Sequence, residues 1–249
     1  MNRLTFFLAL IIASSKILAQ DIPIFTDRPN VTDAVPLISP GTFQVELGYA
    51  NTQSGSFSHN TVPNLSVKYG LVDWLELRVL TNYAVNKIEL MGAETQRGIT
   101  PITFSPKFGL TEQDGAIPRT SLVTNFTFPN VGAEAYQLDE LNYGFRLLFE
   151  YGFGKFTWTN STGTDWPKGF DQTWAFTTVG GYALTDKLST WLELFGTFND
   201  DNGGLGFDFG LAYLVSPSFQ VDIIYGNQIG GTDYQLIGFG GAWKTNFKE

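Results

Sequence analysis

The chain has 249 residues, of which 15% are aromatic, 27 are glycine and only 16% are charged, and its formal net charge is -9. The acidic balance argues against nucleic acid as a partner, and the absence of cysteine excludes disulfides, thiolate metal sites and cysteine nucleophiles. Beyond the first stretch no run of about 18 apolar residues occurs, which excludes a membrane-spanning helix.

Residues 1–19 have the features of a secretory signal peptide. Arg3 supplies the positive charge, residues 4–13 form a short apolar core, and Ala19 is a small residue suited to precede a cleavage site. The core is too short for an anchor helix. We therefore predict export and cleavage after Ala19.

Residues 20–40 are rich in proline. Pro23, Pro29, Pro36 and Pro40 lie within this segment, and proline cannot donate the amide hydrogen bond that an inner strand of a sheet requires. We predict that residues 20–40 form a periplasmic leader that precedes the folded domain.

From Thr42 onward, turn signals divide the chain into about twelve segments in which apolar and polar residues alternate. The fourth contains Pro101 and Pro106, which predict a bulge or a distorted strand. The predicted strands are residues 42–51, 64–70, 74–86, 99–110, 119–128, 140–153, 155–161, 172–184, 188–199, 204–215, 219–228 and 233–247.

The clearest alternation lies in residues 140–153. Tyr143, Phe145 and Leu147 fall on one face of a strand, whereas Arg146 and Glu150 fall on the other. A strand of about 9 to 11 residues crosses a bilayer. The connections also alternate between short and long, as in outer-membrane barrels.

The pattern predicts an all-β fold: a single antiparallel up-and-down transmembrane barrel of about twelve strands over residues 41–249, with both termini periplasmic. A soluble β sandwich is the rival architecture. Its buried face would be aliphatic, whereas the apolar faces here are rich in aromatic residues.

In this register the charged residues of the strands face the barrel interior, seven acidic against seven basic. They could close the lumen as mutually satisfied ion pairs or line a conduit that selects solutes by charge and size; the sequence leaves both open. The predicted lumen-lining residues are Glu46, Lys68, Glu76, Arg78, Lys107, Arg119, Arg146, Glu150, Glu193, Asp208 and Asp222, with Glu140, Lys155 and Lys244 in the same phase.

Catalytic and metal chemistry find little support. The single histidine, His59, falls in a predicted long loop over residues 52–63, away from the strand serines that a hydrolase would pair with it. Asp200, Asp201 and Asn202 could supply oxygen ligands for calcium, but a polar hairpin tip is the favoured interpretation. We predict no enzyme, no metal and no cofactor.

Two short motifs carry a family resemblance. Residues 26–30 read TDRPN, and residues 39–49 read SPGTFQVELGY, a proline-glycine turn that leads into a first strand. Together they resemble the family of outer-membrane transporters named for the meta-pathway of phenol degradation, although Asn30 stands where that family's box usually ends in an acid. The resemblance implies an outer-membrane channel, with aromatic or other apolar compounds among its solutes.

Asp27 and Arg28 lie on the proline-stiffened leader just before the first strand. They could fold into the periplasmic mouth and pair with lumen charges as a small plug; the alternative is a leader that is disordered or only caps the barrel. The combined prediction is a monomeric, passive channel in the outer membrane of a Gram-negative-type cell, with lipid and a small solute as its partners. The alternative is a structural or surface-binding barrel whose lumen is closed by ion pairs.

Overall fold

The computed structural model describes residues 24–28, 30–88, 94–167, 169, 171–200, 203–230 and 234–247. The predicted signal peptide, Asp201 and Asn202 lie outside these ranges. Within them the chain forms strands and one short 3₁₀ turn at Glu134–Tyr136, and no described helix is long and apolar enough to span a bilayer.

The strands form one closed antiparallel sheet. They are β1 (Thr42–Ser54), β2 (Phe57–Val72), β3 (Leu75–Ile88), β4 (Gln96–Ile99), β5 (Thr103–Phe104), β6 (Lys107–Thr111), β7 (Arg119–Thr127), β8 (Asn142–Phe153), β9 (Phe156–Trp166), β10 (Thr173–Ala183), β11 (Leu188–Phe198), β12 (Gly203–Ser216), β13 (Phe219–Ile229) and β14 (Gln235–Asn246). Each passage of the chain across the barrel wall, which we call a crossing, pairs with its neighbours in sequence. β14 pairs with β1 to close the ring.

Three of these strands are pieces of a single crossing. β4, β5 and β6 all pair with β3, and the interruptions between them contain Pro101 and Pro106. Proline cannot donate to the ladder, so the strand breaks there. The fourteen strands therefore make twelve crossings, which confirms the predicted barrel and its distorted fourth strand.

The connection between β1 and β2 differs from the prediction. These strands continue to Ser54 and Phe57, which pair with each other, so the turn comprises only residues 55–56, and Gly55 has the positive φ of 56° that a tight hairpin favours. The predicted long loop over residues 52–63 is wrong because polar residues continue the strands there. His59 lies in β2, where its ring Nδ1 contacts Asn86 of β3.

Strand ends differ from the prediction at three further places. β8 begins at Asn142 and β9 begins at Phe156, so Glu140 and Lys155 lie in connections and not in strands as predicted. β9 extends to Trp166, beyond its predicted end at residue 161, and Trp166 stacks on Tyr143 of β8 with ring centroids 5.3 Å apart. That aromatic contact holds the extended end of β9 against its neighbour.

The two faces of the barrel have opposite character. Apolar side chains such as Leu192, Phe239 and Ile223 are more than half exposed on the outer face. By contrast, Arg78, Lys68 and Lys107 are among the largest fully buried side chains of the chain. Soluble proteins show the reverse distribution, so the outside of this barrel fits lipid and its inside is polar.

Candidate functional site in the barrel lumen

The leader lies inside the barrel. We call the barrel end that holds Thr42 and Asn246 the terminal end; these two residues pair with each other there. From Gly41 the leader turns back into the lumen, where Val35 and Ile38 are 0% and 3% exposed. Val35 packs against Val123 and Leu148, on β7 and β8. Backbone groups of the leader also hydrogen-bond wall side chains, so it forms part of the barrel interior.

Lys68 of β2 and Arg78 of β3 are paired directly across the strands, and both are 1% exposed. Two like charges in this position repel each other. Asp27 of the leader relieves the repulsion, because its Oδ2 accepts from Lys68 Nζ at 2.6 Å and from Arg78 Nη1 at 2.9 Å. Asp33, also on the leader, lies 3.3 Å from Arg78 Nη1.

Glu46 of β1 fixes the leader backbone beside this cluster. Its Oε1 accepts from Lys68 Nζ at 2.6 Å and from the amide of Asp27 at 3.3 Å. Its Oε2 accepts from the amide of Arg28 at 3.2 Å. One carboxylate therefore binds a wall lysine and two successive leader amides.

Lys107 of β6 and Glu76 of β3 are paired across their strands. Lys107 Nζ donates to the carbonyl of Pro36 at 2.8 Å, and Glu76 Oε2 accepts from the amide of Ile38 at 2.8 Å. Ser121 adds a third contact, since its hydroxyl donates to the carbonyl of Val35 at 2.7 Å. We call Lys68, Arg78 and Lys107 the basic wall.

On the other side of the lumen lie three carboxylates that we call the acidic wall: Glu193 of β11, Asp208 of β12 and Asp222 of β13. Around the ring, β14 and β1 separate the two walls on one side and β7 to β10 on the other, so the walls are roughly opposite. Arg28 of the leader points at the acidic wall, with Nη2 3.4 Å from Asp222 Oδ1 and Nη1 3.4 Å from Asn64 Oδ1.

The Arg28 guanidinium fits against two glycines that are paired across β1 and β14, Gly48 and Gly240. A Cβ at Gly48 would lie 2.2 Å from Arg28 Cζ, and one at Gly240 would lie 2.6 Å from Arg28 Nη2. Any larger residue at these positions would occupy the space of the guanidinium. The residue pattern alone does not reveal this gap beside the two glycines, because glycine is frequent throughout the strands.

Glu193 and Asp208 are paired across β11 and β12, and both are fully buried. Their partners outside the pair are neutral donors. Glu193 accepts from the Val31 amide at 3.0 Å and from the Thr32 hydroxyl at 2.6 Å, while Asp208 Oδ1 accepts from Trp191 Nε1 at 2.9 Å. Within the described ranges no cation forms an ion pair with either carboxylate.

Among the other predicted charges, Arg119, Glu150 and Arg146 form ion pairs that do not involve the leader. Arg119 Nη1 lies 3.0 Å from Glu150 Oε1 on the adjacent strand, and Arg119 Nε lies 2.9 Å from Glu112 Oε2. Arg146 forms an ion pair with Asp165 of β9. The sequence pattern misses Asp165 as a site residue because the predicted β9 ends before it.

Cavities lie beside the leader near the terminal end. A cavity of about 320 Å³ borders Asn30 and Asp33 on its leader side and reaches Glu150 and Trp191. A second cavity of about 290 Å³ lies between Pro36 and Arg119. Leader residues border both cavities.

A family model described as "Putative MetA-pathway of phenol degradation" matches residues 26–245. The chain belongs to this family. The match begins at the TDRPN box and extends through β13 and nearly all of β14, so the resemblance first noted over residues 26–49 holds for the whole barrel. No curated protein sequence matches the chain.

Solved structures show the same fold at low identity. An outer-membrane channel from Pseudomonas putida F1 has a TM-score of 0.70 at 13% identity and covers 85% of this chain and 98% of its own. The NanC porin has a TM-score of 0.58 at 10% identity over 81% of this chain and 100% of its own. The KdgM porin has a TM-score of 0.54 at 10% identity over 80% of this chain and 98% of its own.

Proposed function

We propose that this member of the family is a monomeric outer-membrane channel that passes small solutes passively, and that the leader sets the width of its passage. The observation that carries the proposal is the leader docked across a charged lumen, with Asp27 on the basic wall and Arg28 on the acidic wall. Residues 1–19 act as the export signal and are removed, and both chain ends then face the periplasm.

The polar interior supports a conduit for solutes dissolved in water. An apolar lumen would exclude ions, whereas this one has charged walls and cavities beside the leader. The fold is shared with proteins whose names describe a channel and porins. We extend that activity to this chain.

The family description names phenol degradation, and the cavity beside the leader is bordered by Trp191 and Val179 as well as by threonines. Small aromatic compounds are therefore the first solutes to test. Benzoate is a suitable probe, because its current through a planar bilayer can be measured directly.

Single-channel recording of the refolded protein tests the proposal. We expect steady, small current steps for the complete mature chain and steps several-fold larger after deletion of residues 21–38, because the deletion removes most of the leader from the lumen. Lys187→Gln, at an exposed position in the turn between β10 and β11, serves as the control and should leave the steps unchanged. Equal conductance with and without the leader would refute its role as a plug.

The close fit of the leader also favours a second candidate, a structural or surface-binding barrel with a lumen closed by ion pairs. That barrel would carry no current before or after deletion of the leader. We propose no enzymatic activity in either case: a phospholipid hydrolysis assay should give no product above the background of empty detergent micelles.

A further inference from the structure

The leader marks a set of wall groups that together resemble a ligand site. The first part binds an anion. Lys68 Nζ and Arg78 Nη1 approach the Asp27 carboxylate at 2.6 Å and 2.9 Å, which are the distances of charge-assisted hydrogen bonds. Both bases belong to β2 and β3 of the barrel wall and not to the leader, so they remain part of the lumen when another carboxylate replaces Asp27.

The second part binds a cation, and the leader fills it imperfectly. Arg28 reaches Asp222 and Asn64 only at 3.4 Å, longer than the roughly 2.7 to 2.9 Å of a good charge-assisted bond. Asp222 Oδ2 and Arg28 Nε are both buried with no hydrogen-bond partner within the described part of the chain. Buried polar atoms of this kind are costly to leave unpaired. A free cation that hydrogen-bonds both oxygens of Asp222 at shorter distances would therefore bind more favourably than Arg28.

The third part lies between the other two. Glu46 accepts the amides of Asp27 and Arg28 through its two oxygens, at 3.3 Å and 3.2 Å. A carboxylate in this position can accept from an ammonium group as well as from backbone amides. Because Gly48 and Gly240 keep the adjacent wall open for a guanidinium, the three parts form one continuous seat.

We propose that this seat is a binding site for small zwitterionic solutes whose carboxylate and guanidinium or ammonium group are separated as in an Asp-Arg dipeptide, such as short arginine-containing peptides. The leader occupies the seat as a tethered competitor through the adjacent Asp27 and Arg28. The binding site depends on the proposed channel function only for the route by which a solute reaches the seat.

Equilibrium binding tests it without any need for conductance. The protein is the full mature chain with Asp27→Asn and Arg28→Gln, which keeps the leader but removes its two competing charges, folded in detergent and titrated calorimetrically. The probes are the capped dipeptide Asp-Arg and its charge-deleted analogues Asn-Arg and Asp-Gln. We expect Asp-Arg to bind at least about tenfold more tightly than either analogue, because each analogue leaves one buried wall group unpaired.

Three controls locate the binding. Addition of Asp222→Asn should abolish the preference for Asp-Arg over Asp-Gln and keep the preference over Asn-Arg, whereas Lys187→Gln should change neither. The unaltered chain should bind Asp-Arg far more weakly, because its own leader occupies the seat. A variant that lacks residues 21–38 provides a second protein in case the altered leader stays docked.

Equal affinity for the three dipeptides, or no binding to either altered protein, would overturn the proposal, as would equally tight binding to the unaltered chain. These outcomes do not depend on the recordings in planar bilayers. A barrel that conducts ions but does not distinguish the dipeptides refutes the seat alone, and one that binds Asp-Arg without conducting refutes the channel alone.

Discussion

Two like-charge pairs face each other across the lumen, and the leader contacts them differently. Lys68 and Arg78 are cross-strand neighbours on the basic wall, and Glu193 and Asp208 are cross-strand neighbours on the acidic wall. All four side chains are buried. The basic pair receives a full counter-charge from Asp27 of the leader, whereas the described leader contacts to the acidic pair are neutral donors, the Val31 amide and the Thr32 hydroxyl, both to Glu193.

The difference indicates which wall holds the leader. A buried ion pair is costly to break on one side, because the remaining charge is left without a partner. The basic wall therefore depends on the leader for its stability, and the acidic wall does not depend on it to the same degree. Removal of charge should consequently have opposite effects at the two walls.

The largest effect is expected at the basic wall. Asp27→Asn removes the carboxylate that Lys68 and Arg78 share, so we expect a loss of roughly 3 kcal/mol or more in the free energy of unfolding and larger single-channel currents as the leader undocks. Urea unfolding in lipid vesicles, followed by tryptophan fluorescence, measures the first quantity. Asp33→Asn is the matched control: this carboxylate also contacts Arg78 but is 28% exposed, and its loss should cost clearly less. Equal losses for the two variants would contradict the assignment of Asp27 as the main counter-charge.

A steric change at Gly48, beside the Arg28 guanidinium, is expected to have the next largest effect. Gly48→Ala places a Cβ 2.2 Å from Arg28 Cζ, and overpacking of this kind costs about 1 to 3 kcal/mol. The same unfolding assay should show the loss, and the conductance should rise as the leader end is displaced. In the Arg28→Ala background, Gly48→Ala should cost little further stability, because the clashing side chain is gone. Gly152→Ala should be neutral, because the nearest atom to its added Cβ would lie 3.6 Å away. A Gly48→Ala loss that persists in the Arg28→Ala background would mean that the clash with Arg28 is not the cause.

At the acidic wall, removal of a charge should raise the free energy of unfolding instead of lowering it. Asp208→Asn keeps an acceptor for Trp191 Nε1 and places an amide donor beside Glu193, so it removes the repulsion that two adjacent carboxylates exert when both are ionised, roughly 0.2 to 1 kcal/mol across a strand pair. We expect the free energy of unfolding to rise by about that amount in the same vesicle assay. A clear destabilisation would show that the acidic pair has a counter-charge of its own, and the contrast between the walls would fail.

The alternation of residues is sufficient to predict the barrel and its number of crossings. Side chains of a strand point to opposite faces with a period of two, so the lipid face and the polar face can both be assigned from segments such as residues 140–153. The polar ends of strands cannot be assigned in this way. Thr52 to Ser54 and Ser58 to Asn60 continue the β1–β2 ladder, but without an apolar face they carry no signal that distinguishes strand from loop.

The partners within the lumen could not be predicted in detail. Arg28 and Asp222 are 194 residues apart in sequence, and no local pattern relates them. The proximity of Asp27 and Arg28 to the first strand did suggest contact with lumen charges, but which wall each would meet depends on the path of the leader. The gap that Gly48 and Gly240 leave for Arg28 likewise forms only when β14 pairs with β1.

The smallest effect is expected where an ion pair of the same length lies in water. Arg119 Nε and Glu112 Oε2 are 2.9 Å apart, as are Arg78 Nη1 and Asp27 Oδ2, but Glu112 is 83% exposed. Exposed pairs contribute roughly 0 to 1 kcal/mol because water and salt screen them. Glu112→Gln should therefore shift the free energy of unfolding by less than about 0.5 kcal/mol and leave the current steps unchanged. If it cost as much as Asp27→Asn, contact distance and not burial would govern these charges, and the special dependence of the basic wall on the leader would lose its physical basis.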